Sequence, residues 1–454
     1  MNVAIIGTGY VGLTTGACLA FLGHRVTCVD ADQRKIDELE GGGVPIYEPN
    51  LKEMIAAARH NLVFTTNYAN AIPDAQVVFI AVGTPPGKGG APNLDYLKAA
   101  AHGVGQQLGQ HFTVVVNKST VPIGSGNWVG SLVRQAVSER EGSKSDICFS
   151  VASNPEFLRE GTAISDTLYA DRIVVGTDEA RTAEVLYTLY RPIVEQTFGA
   201  PAFLPRPERM GAVPLISTDL ASAELIKYAA NAFLALKISY INEIGQLAEK
   251  VGADITQVAR GIGLDQRIGT RFLQAGIGWG GSCFGKDTAA LVATAGEYKL
   301  DMPIVRAARE MNNKQRERVV EKLLSELKIL KGRTVGLLGL AFKPDTDDLR
   351  EAPALDVARE LISRGVRVKA HDPVAMERFK REYPDLELTL CASAEQVAED
   401  ADALVLVTEW PEYRTLNWEP LAASMRSAIV LDGRQVLDRQ RLTAAGFRYL
   451  GWAG

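Results

Sequence analysis

The stretch Gly278-Trp279-Gly280-Gly281-Ser282-Cys283-Phe284-Gly285-Lys286-Asp287 sets one cysteine among glycines, with a lysine and an aspartate three and four residues later. A thiolate is a strong nucleophile, and a nearby lysine helps to hold it ionised. If a helix starts here, Cys283 and Asp287 share a face, and the glycines would let the backbone approach a ligand closely. Taken alone, a single cysteine is more often an inert core filler, so its meaning depends on its company. Further upstream, Glu224, Lys227 and Asn231 fall at i, i+3 and i+7 of a helical run, among Leu225, Ile226, Ala229, Ala230, Phe233 and Leu234. A lysine in such surroundings either snorkels to water or is enclosed with a partner. Enclosed, Lys227 and Asn231 would offer two donors to a developing oxyanion.

The N-terminus carries a second kind of chemistry. Gly7-Thr8-Gly9-Tyr10-Val11-Gly12 follows an apolar run and precedes a helical pattern. Gly7 suits the tight turn, Gly9 the approach of a pyrophosphate, and Gly12 close helix–strand packing, while the helix N-terminus supplies N–H donors. Asp30 ends the next apolar run, where a carboxylate accepts from a ribose hydroxyl and repels a 2′-phosphate, which favours NAD over NADP. The loops Val82–Pro86 and Lys118–Pro122 follow later runs at the same edge. There Thr84 and Ser119 fit ordinary turn chemistry as well as a ligand. In Asn154-Pro155-Glu156-Phe157-Leu158-Arg159-Glu160-Gly161, two carboxylates four residues apart fit an exposed helix face or a role at the ligand edge. Beside a nicotinamide the thiol acquires a purpose. It can trap an aldehyde as a thiohemiacetal, which loses hydride to give a thioester and then hydrolyses. Cys283 is therefore expected to react.

These residues need elements to hold them. Apolar runs at Val3–Ile6, Arg25–Val29, Val77–Val82, Thr113–Asn117, Ile147–Val151 and Arg172–Val175 alternate with helical patterns, which predicts a parallel sheet covered on both faces. A Pro-rich stretch, Pro201–Pro214, reads as a linker or exposed loop, and a long helix is expected from about Thr218 to Lys250. Pro303 opens another helix. A second alternating region places strands at Thr334–Leu340, Val366–His371, Ala403–Val407 and Ala428–Asp432. The fold class is α/β: two Rossmann-like doubly wound parallel-sheet domains, residues 1–205 and 316–454, joined by an all-helical domain, 206–315.

With 454 residues, 46% hydrophobic and 23% charged, and a net charge of −5, the chain is an ordinary globular protein with no basic block for nucleic acid. No apolar run spans a membrane, and the first strand-like run begins at Asn2, so no signal peptide is expected. The five cysteines are scattered without CxxC spacing, which argues against a disulfide framework or a metal site and fits the cytoplasm.

The ordered set GTGYVG, VGTPP, KSTVP, NPEFLREG, SAELIKYAANAFLALKISYINEI, DQRIG, GWGGSCFGKD, FKPDTDDLRE and DGR covers nearly the whole chain and resembles the UDP-glucose/GDP-mannose dehydrogenase family. The resemblance implies NAD-dependent oxidation of a nucleotide sugar's alcohol to an acid, with Cys283 as nucleophile and Asp287 positioning the hydrolytic water. It makes Lys227 and Asn231 the oxyanion pair, with Thr120 and Glu160 holding or activating that water; either a water or Lys227 takes the first proton. It puts the cofactor at Gly7, Gly9, Tyr10, Val11, Gly12, Asp30, Lys35, Thr84, Ser119, Thr120, Glu160, Lys286 and Arg350. The substrate falls to Glu156, Phe157, Leu158, Lys227, Asn231, Phe272, Gly276, Gly280, Lys343 and Arg434, with Arg267 reaching across a dimer interface. A homodimer or a multiple of it is implied. DQRIG and FLQAGIGWGG favour UDP-glucose over GDP-mannose or UDP-N-acetylmannosamine. A one-step hydroxyacid dehydrogenase and a non-catalytic NAD-binding regulator fit Cys283 and the third domain less well. Gly285 stands where the family often has proline, which loosens the turn but keeps Cys283, Lys286 and Asp287 in register. GLLGLAF in the second sheet lacks the GxGxxG spacing, so no second dinucleotide is expected there.

Overall fold

The computed structural model describes residues 1–85, 87, 92–142 and 146–452; Pro86 of the VGTPP motif lies outside them. The chain forms two compact units, one of residues 1–229 and 289–297, the other of 230–288 and 298–454.

The first unit is built on eight strands: β1 (Asn2–Ile6), β2 (Arg25–Val29), β3 (Leu62–Thr65), β4 (Val77–Ile80), β5 (Thr113–Asn117), β6 (Phe149–Ser153), β7 (Ile173–Gly176) and β8 (Leu215–Thr218). Their order is β3-β2-β1-β4-β5-β6-β7-β8. All neighbours run parallel except β6 and β7, which meet antiparallel at Ser153 and Gly176. The unalternating runs are explained by burial on both faces: Val77, Val78, Phe79 and Ile80 are all fully buried, as are Val114, Val115 and Val116. Each such side chain contributes about 1.5–3 kcal/mol by leaving water. The order reverses between β1 and β4, so their carboxyl ends frame the crevice in which doubly wound sheets take ligands.

The second unit carries six parallel strands: β9 (Thr334–Leu338), β10 (Arg367–His371), β11 (Thr389–Leu390), β12 (Ala403–Leu406), β13 (Ile429–Asp432) and β14 (Arg448–Leu450), in the order β11-β10-β9-β12-β13-β14. This is the same winding as the first six strands of the larger sheet. The long helix Leu220–Val251 supplies residues to both units. The helices Phe284–Glu297 and Pro303–Leu327 follow, the latter opened by Pro303 as expected.

The Pro-rich stretch is not a loose linker. Within it Arg206 donates to the Gln196 side chain at 3.1 Å and to the Phe198 carbonyl at 2.6 Å, and Tyr169 Oη donates to the Leu204 carbonyl at 2.9 Å. Val213 is 2% exposed. The stretch then leads directly into β8, so its apolar residues serve the core of the first unit.

Candidate active site

In the first unit the glycine turn follows β1 at the crevice. Gly7 has φ +102°, and a Cβ there would meet the Ala81 carbonyl at 2.7 Å, so both conformation and space require glycine. A Cβ on Gly12 would overlap the Gly7 carbonyl, which lets the helix Tyr10–Phe21 press onto the turn. Gly9, the N-cap of that helix, has open space where its Cβ would be, and no side chain caps the helix there. N–H donors thus face an uncrowded turn, which fits a dinucleotide pyrophosphate. Asp30 accepts from the Thr8 amide at 2.8 Å, the Thr8 hydroxyl at 2.7 Å and the Asp32 amide at 3.0 Å, with Lys35 Nζ at 3.5 Å. Partial burial pushes its pKa up, but these donors and the Lys35 charge together hold it below the usual carboxylate range. An ionised carboxylate therefore stands where a ribose hydroxyl would arrive.

The loops after β4 and β5 brace each other. Thr84 Oγ1 donates to the Thr120 carbonyl at 2.9 Å, and Ser119 Oγ donates to the Val82 carbonyl at 2.7 Å. Both hydroxyls take part in turn chemistry. Lys227 is 4% exposed and does not snorkel; its Nζ donates to Glu156 Oε1 at 2.8 Å and lies 5.6 Å from the Phe157 ring centroid. Burial alone would raise the Glu156 pKa; the Lys227 charge and hydrogen bond, the Leu158 amide at 2.6 Å and the Lys118 charge bring it below the usual value. Lys118 was not singled out by sequence reasoning. It is buried, donates to Asn154 Oδ1 at 2.9 Å, and burial pushes its pKa down to about 8. Two buried ammonium groups thus share one buried carboxylate. A cavity with room for about one water lies beside them, lined by Thr120, Ser153, Glu224 and Lys227 among others.

Glu224, on the Lys227 face of the helix, turns out to be a cap. Its carboxylate accepts from the amides of Gly124 at 2.6 Å and Gly126 at 2.8 Å and from Ser153 Oγ at 2.9 Å. It thereby closes the N-terminus of helix Ser125–Glu141, which has no capping side chain of its own.

In the second unit Cys283 is the N-cap of its helix: the Asp287 amide donates to the Cys283 carbonyl at 2.8 Å. A helix N-terminus favours thiolate over thiol. Asp287, 1% exposed, accepts from Asn231 Nδ2 at 2.6 Å and lies 3.6 Å from Lys286 Nζ. Thus Asn231, Lys286, Asp287 and the partly exposed Cys283 meet at one turn. The glycines of this turn are required by packing within the unit. A Cβ on Gly278 would meet the Asn312 side chain at 2.5 Å, one on Gly280 the Glu351 carbonyl at 2.5 Å, and one on Gly281 the Phe342 ring at 2.8 Å. Gly280 and Gly281 thus admit the 342–351 segment, and Gly278 the Asn312 side chain; the Gly281 amide also donates to the Arg350 carbonyl at 3.0 Å. At Gly285 the missing side chain leaves room that the Glu351 carboxylate takes up.

The remaining expected residues separate into braced and displayed. Arg434 donates to the carbonyls of Val407 at 2.7 Å, Gly278 at 3.1 Å and Phe342 at 3.0 Å, and pairs with Glu409 at 3.1 Å. It acts as a brace within the unit. Gly276 allows close approach to the Gly433 carbonyl, 2.6 Å from where a Cβ would be. Phe272, at φ +64°, meets the Phe284 ring edge-on at 6.4 Å. Lys343 Nζ lies 5.6 Å from the Phe342 ring centroid, and Arg350 pairs with Asp348 at 2.8 Å. Arg267 is exposed and pairs with Asp265 at 2.5 Å. In the first unit Phe157 stacks under Arg172, whose guanidinium carbon is 3.7 Å from the ring centroid. Glu160 lies near enough to Tyr10 for its charge to raise the phenol pKa, after burial and Glu48. In the second sheet Asp372, which follows β10 as Asp30 follows β2, accepts from Leu340, Ala341, Val374 and Ala375 amides and the Trp410 indole. Its carboxylate thus ties the turn after β9 to the segment after β10.

Residues 1–194 match the NAD binding domain of the UDP-glucose/GDP-mannose dehydrogenase family, 221–314 its central domain and 336–439 its UDP binding domain. UDP-glucose 6-dehydrogenase TuaD of Bacillus subtilis is 43% identical over 450 residues, 99% of this chain and 92% of that protein. The UDP-glucose 6-dehydrogenase of Pseudomonas aeruginosa is 44% identical over 460 residues, 99% of this chain and 97% of that one. Among solved structures, a UDP-glucose dehydrogenase from Pyrobaculum islandicum superposes with a TM-score of 0.88 at 38% identity, covering 100% of this chain and 97% of that one. A UDP-D-ManNAc dehydrogenase from Pyrococcus horikoshii gives 0.82 at 26% identity, covering 100% and 99%.

Proposed function

The chain belongs to the UDP-glucose/GDP-mannose dehydrogenase family, and from that premise we propose that it oxidises UDP-glucose to UDP-glucuronate with NAD. Relatives 38–44% identical over 99% of the chain are UDP-glucose 6-dehydrogenases, which supports glucose over the N-acetylated sugar of the 26% identical neighbour. The observation that carries the chemistry is Asn231 donating to Asp287 beside Cys283, with Lys227 one helical turn before Asn231.

NAD, held at Gly7–Gly12 and Asp30, supplies a hydride acceptor, one per oxidation. The C6 alcohol loses hydride and a proton to become an aldehyde; a water or Lys227 remains the candidate for that proton. The Cys283 thiolate then adds to the aldehyde carbon, forming a C–S bond, while Lys227 and Asn231 donate to the oxygen. Loss of a second hydride leaves a thioester. Water attacks it, the C–S bond breaks, and the sulfur departs as thiolate. Asp287 and Thr120 position that water. Glu160 stays the group that holds or activates that water, and the ionised Glu156 keeps Lys227 in its ion pair.

We keep three functional parts, cofactor, helical and UDP-sugar domains, with the second division at residue 315; the first moves from 205 to beyond β8, because Leu215–Thr218 is a strand of the first sheet and the expected helical domain cannot include it. A homodimer is supported by Phe233, Tyr240 and Leu247, which recur every seven residues along the long helix and stay 61%, 49% and 60% exposed in the single chain. The partner's copy of Arg267 would then reach the substrate. No helix among the described residues is long and apolar enough to cross a membrane, and scattered thiols fit the reducing cytoplasm as the place of work. Incubation of the purified protein with NAD and a panel of UDP-glucose, UDP-N-acetylmannosamine and GDP-mannose tests the assignment. NADH from UDP-glucose well above the others is expected; preference for another sugar would overturn the substrate.

A further inference from the structure

Glu48 belongs to none of the motifs above, yet it is 7% exposed and fully engaged. Its Oε1 accepts from the Ala163 amide at 2.7 Å and its Oε2 from the Gly161 amide at 2.6 Å and from the Tyr10 hydroxyl. The same hydroxyl accepts from the Gly161 amide at 2.9 Å. Tyr10 is the first helical residue after the pyrophosphate turn, and Gly161 closes the NPEFLREG loop in a left-handed conformation, φ +85°.

The loop's amides are shared among three carboxylates. Leu158 N–H goes to Glu156, Arg159 N–H to Asp166 at 2.8 Å, and Gly161 and Ala163 N–H to Glu48. Glu156 and Asp166 are local, within seven residues of their donors. Glu48 comes from more than 110 residues away and also holds the cofactor turn through Tyr10. A buried carboxylate that loses such partners leaves amides unsatisfied, so the arrangement is rigid when complete.

We propose that Glu48 is a positioning residue that ties the cofactor turn, through Tyr10, to the loop carrying Glu156, Phe157 and Leu158. It touches neither ligand; it makes the geometry of one binding loop depend on the other. This rests on the proposed reading of those two loops as cofactor and sugar-nucleotide sites.

The test uses the full-length protein and steady-state kinetics with NAD and UDP-glucose. Tyr10→Phe keeps the ring and removes only the hydroxyl. It should raise KM for UDP-glucose about threefold or more, although Tyr10 lies on the cofactor turn, with kcat changed less. Glu48→Gln, which leaves one good acceptor, should raise both KM values about tenfold. The double variant should be no worse than Glu48→Gln alone, because both substitutions cut one linkage. An unchanged UDP-glucose KM in Tyr10→Phe, or additive effects in the double variant, would overturn the proposal. So would Glu48→Gln that lowers Tm while both KM values stay at the wild-type level, the pattern of a merely structural residue. If Glu48→Gln does not fold, Tyr10→Phe decides alone. Failure of the wild type to oxidise UDP-glucose would instead strike the proposed function.

Discussion

At Lys227 the apolar neighbours, the buried ammonium and the 2.8 Å contact to Glu156 make it costly to disturb either partner. Lys227→Ala should lower kcat by roughly 100-fold to 1000-fold, the usual loss for one oxyanion donor, with NAD binding little altered; titration calorimetry and initial rates separate the two. Near-normal kcat would reduce Lys227 to a structural lysine. The partner substitution has a pH signature. The folded-state pKa of Glu156 is depressed, so its ion pair stabilises the fold above the ordinary carboxylate pKa, and that contribution is lost as pH falls through the depressed value. Glu156→Gln should therefore destabilise at pH 7, by about 3–5 kcal/mol for a broken buried pair, and should flatten the acid limb below about pH 4.5. Urea midpoints across pH 3–8 read both; an unchanged acid limb would show that Glu156 is not the group responsible. Asp30, held ionised at the end of β2, should make NAD a far better cofactor than NADP, and similar kcat/KM for the two would contradict that role.

Among elements, the cysteine turn gives the sharpest contrast. Gly280→Ala would push a Cβ against the Glu351 carbonyl at 2.5 Å, backbone that cannot move aside, and should cost about 1–3 kcal/mol. Gly285→Ala meets only the end of the Glu351 side chain, which can rotate away, and should fall within about 0.5 kcal/mol of wild type. Equal losses in thermal unfolding would mean the 342–351 segment does not pack on the turn as described. The same turn shows what a sequence can and cannot carry. Cys283, Lys286, Asp287, Lys227 and Asn231 were legible because residue type and helical spacing carry their chemistry, and β1, β2, β4 and β5 because buried parallel strands are continuous apolar runs. The reason for the glycines was not legible, since the neighbours they admit, Asn312, Phe342 and Glu351, are distant in the chain. Glu48 and Lys118 were missed for the same reason: each is recognised by partners distant in the chain, the Gly161 and Ala163 amides for Glu48 and the Asn154 side chain for Lys118. The strands β3, β8, β11 and β14 lie at sheet edges and are partly exposed, so they lack the continuous apolar run that marks the buried strands.

For the molecule as a whole, the exposed heptad of Phe233, Tyr240 and Leu247 predicts self-association through the long helix. Tyr240→Asp together with Leu247→Asp should shift the protein to monomer in sedimentation velocity, whereas an unchanged sedimentation coefficient would move the interface elsewhere. The central claim is that one chain performs two successive oxidations of one sugar through a covalent intermediate on Cys283. The direct measurement counts NADH formed per UDP-glucose consumed, with products identified by mass, for the wild type and for Cys283→Ala. Two NADH and one UDP-glucuronate per sugar are expected from the wild type, with no aldehyde accumulating. Cys283→Ala should at most complete the first oxidation and release or hydrate an aldehyde, because it has no nucleophile to form the thioester. One NADH per sugar from the wild type, or UDP-glucuronate made at the normal rate by Cys283→Ala, would contradict the account.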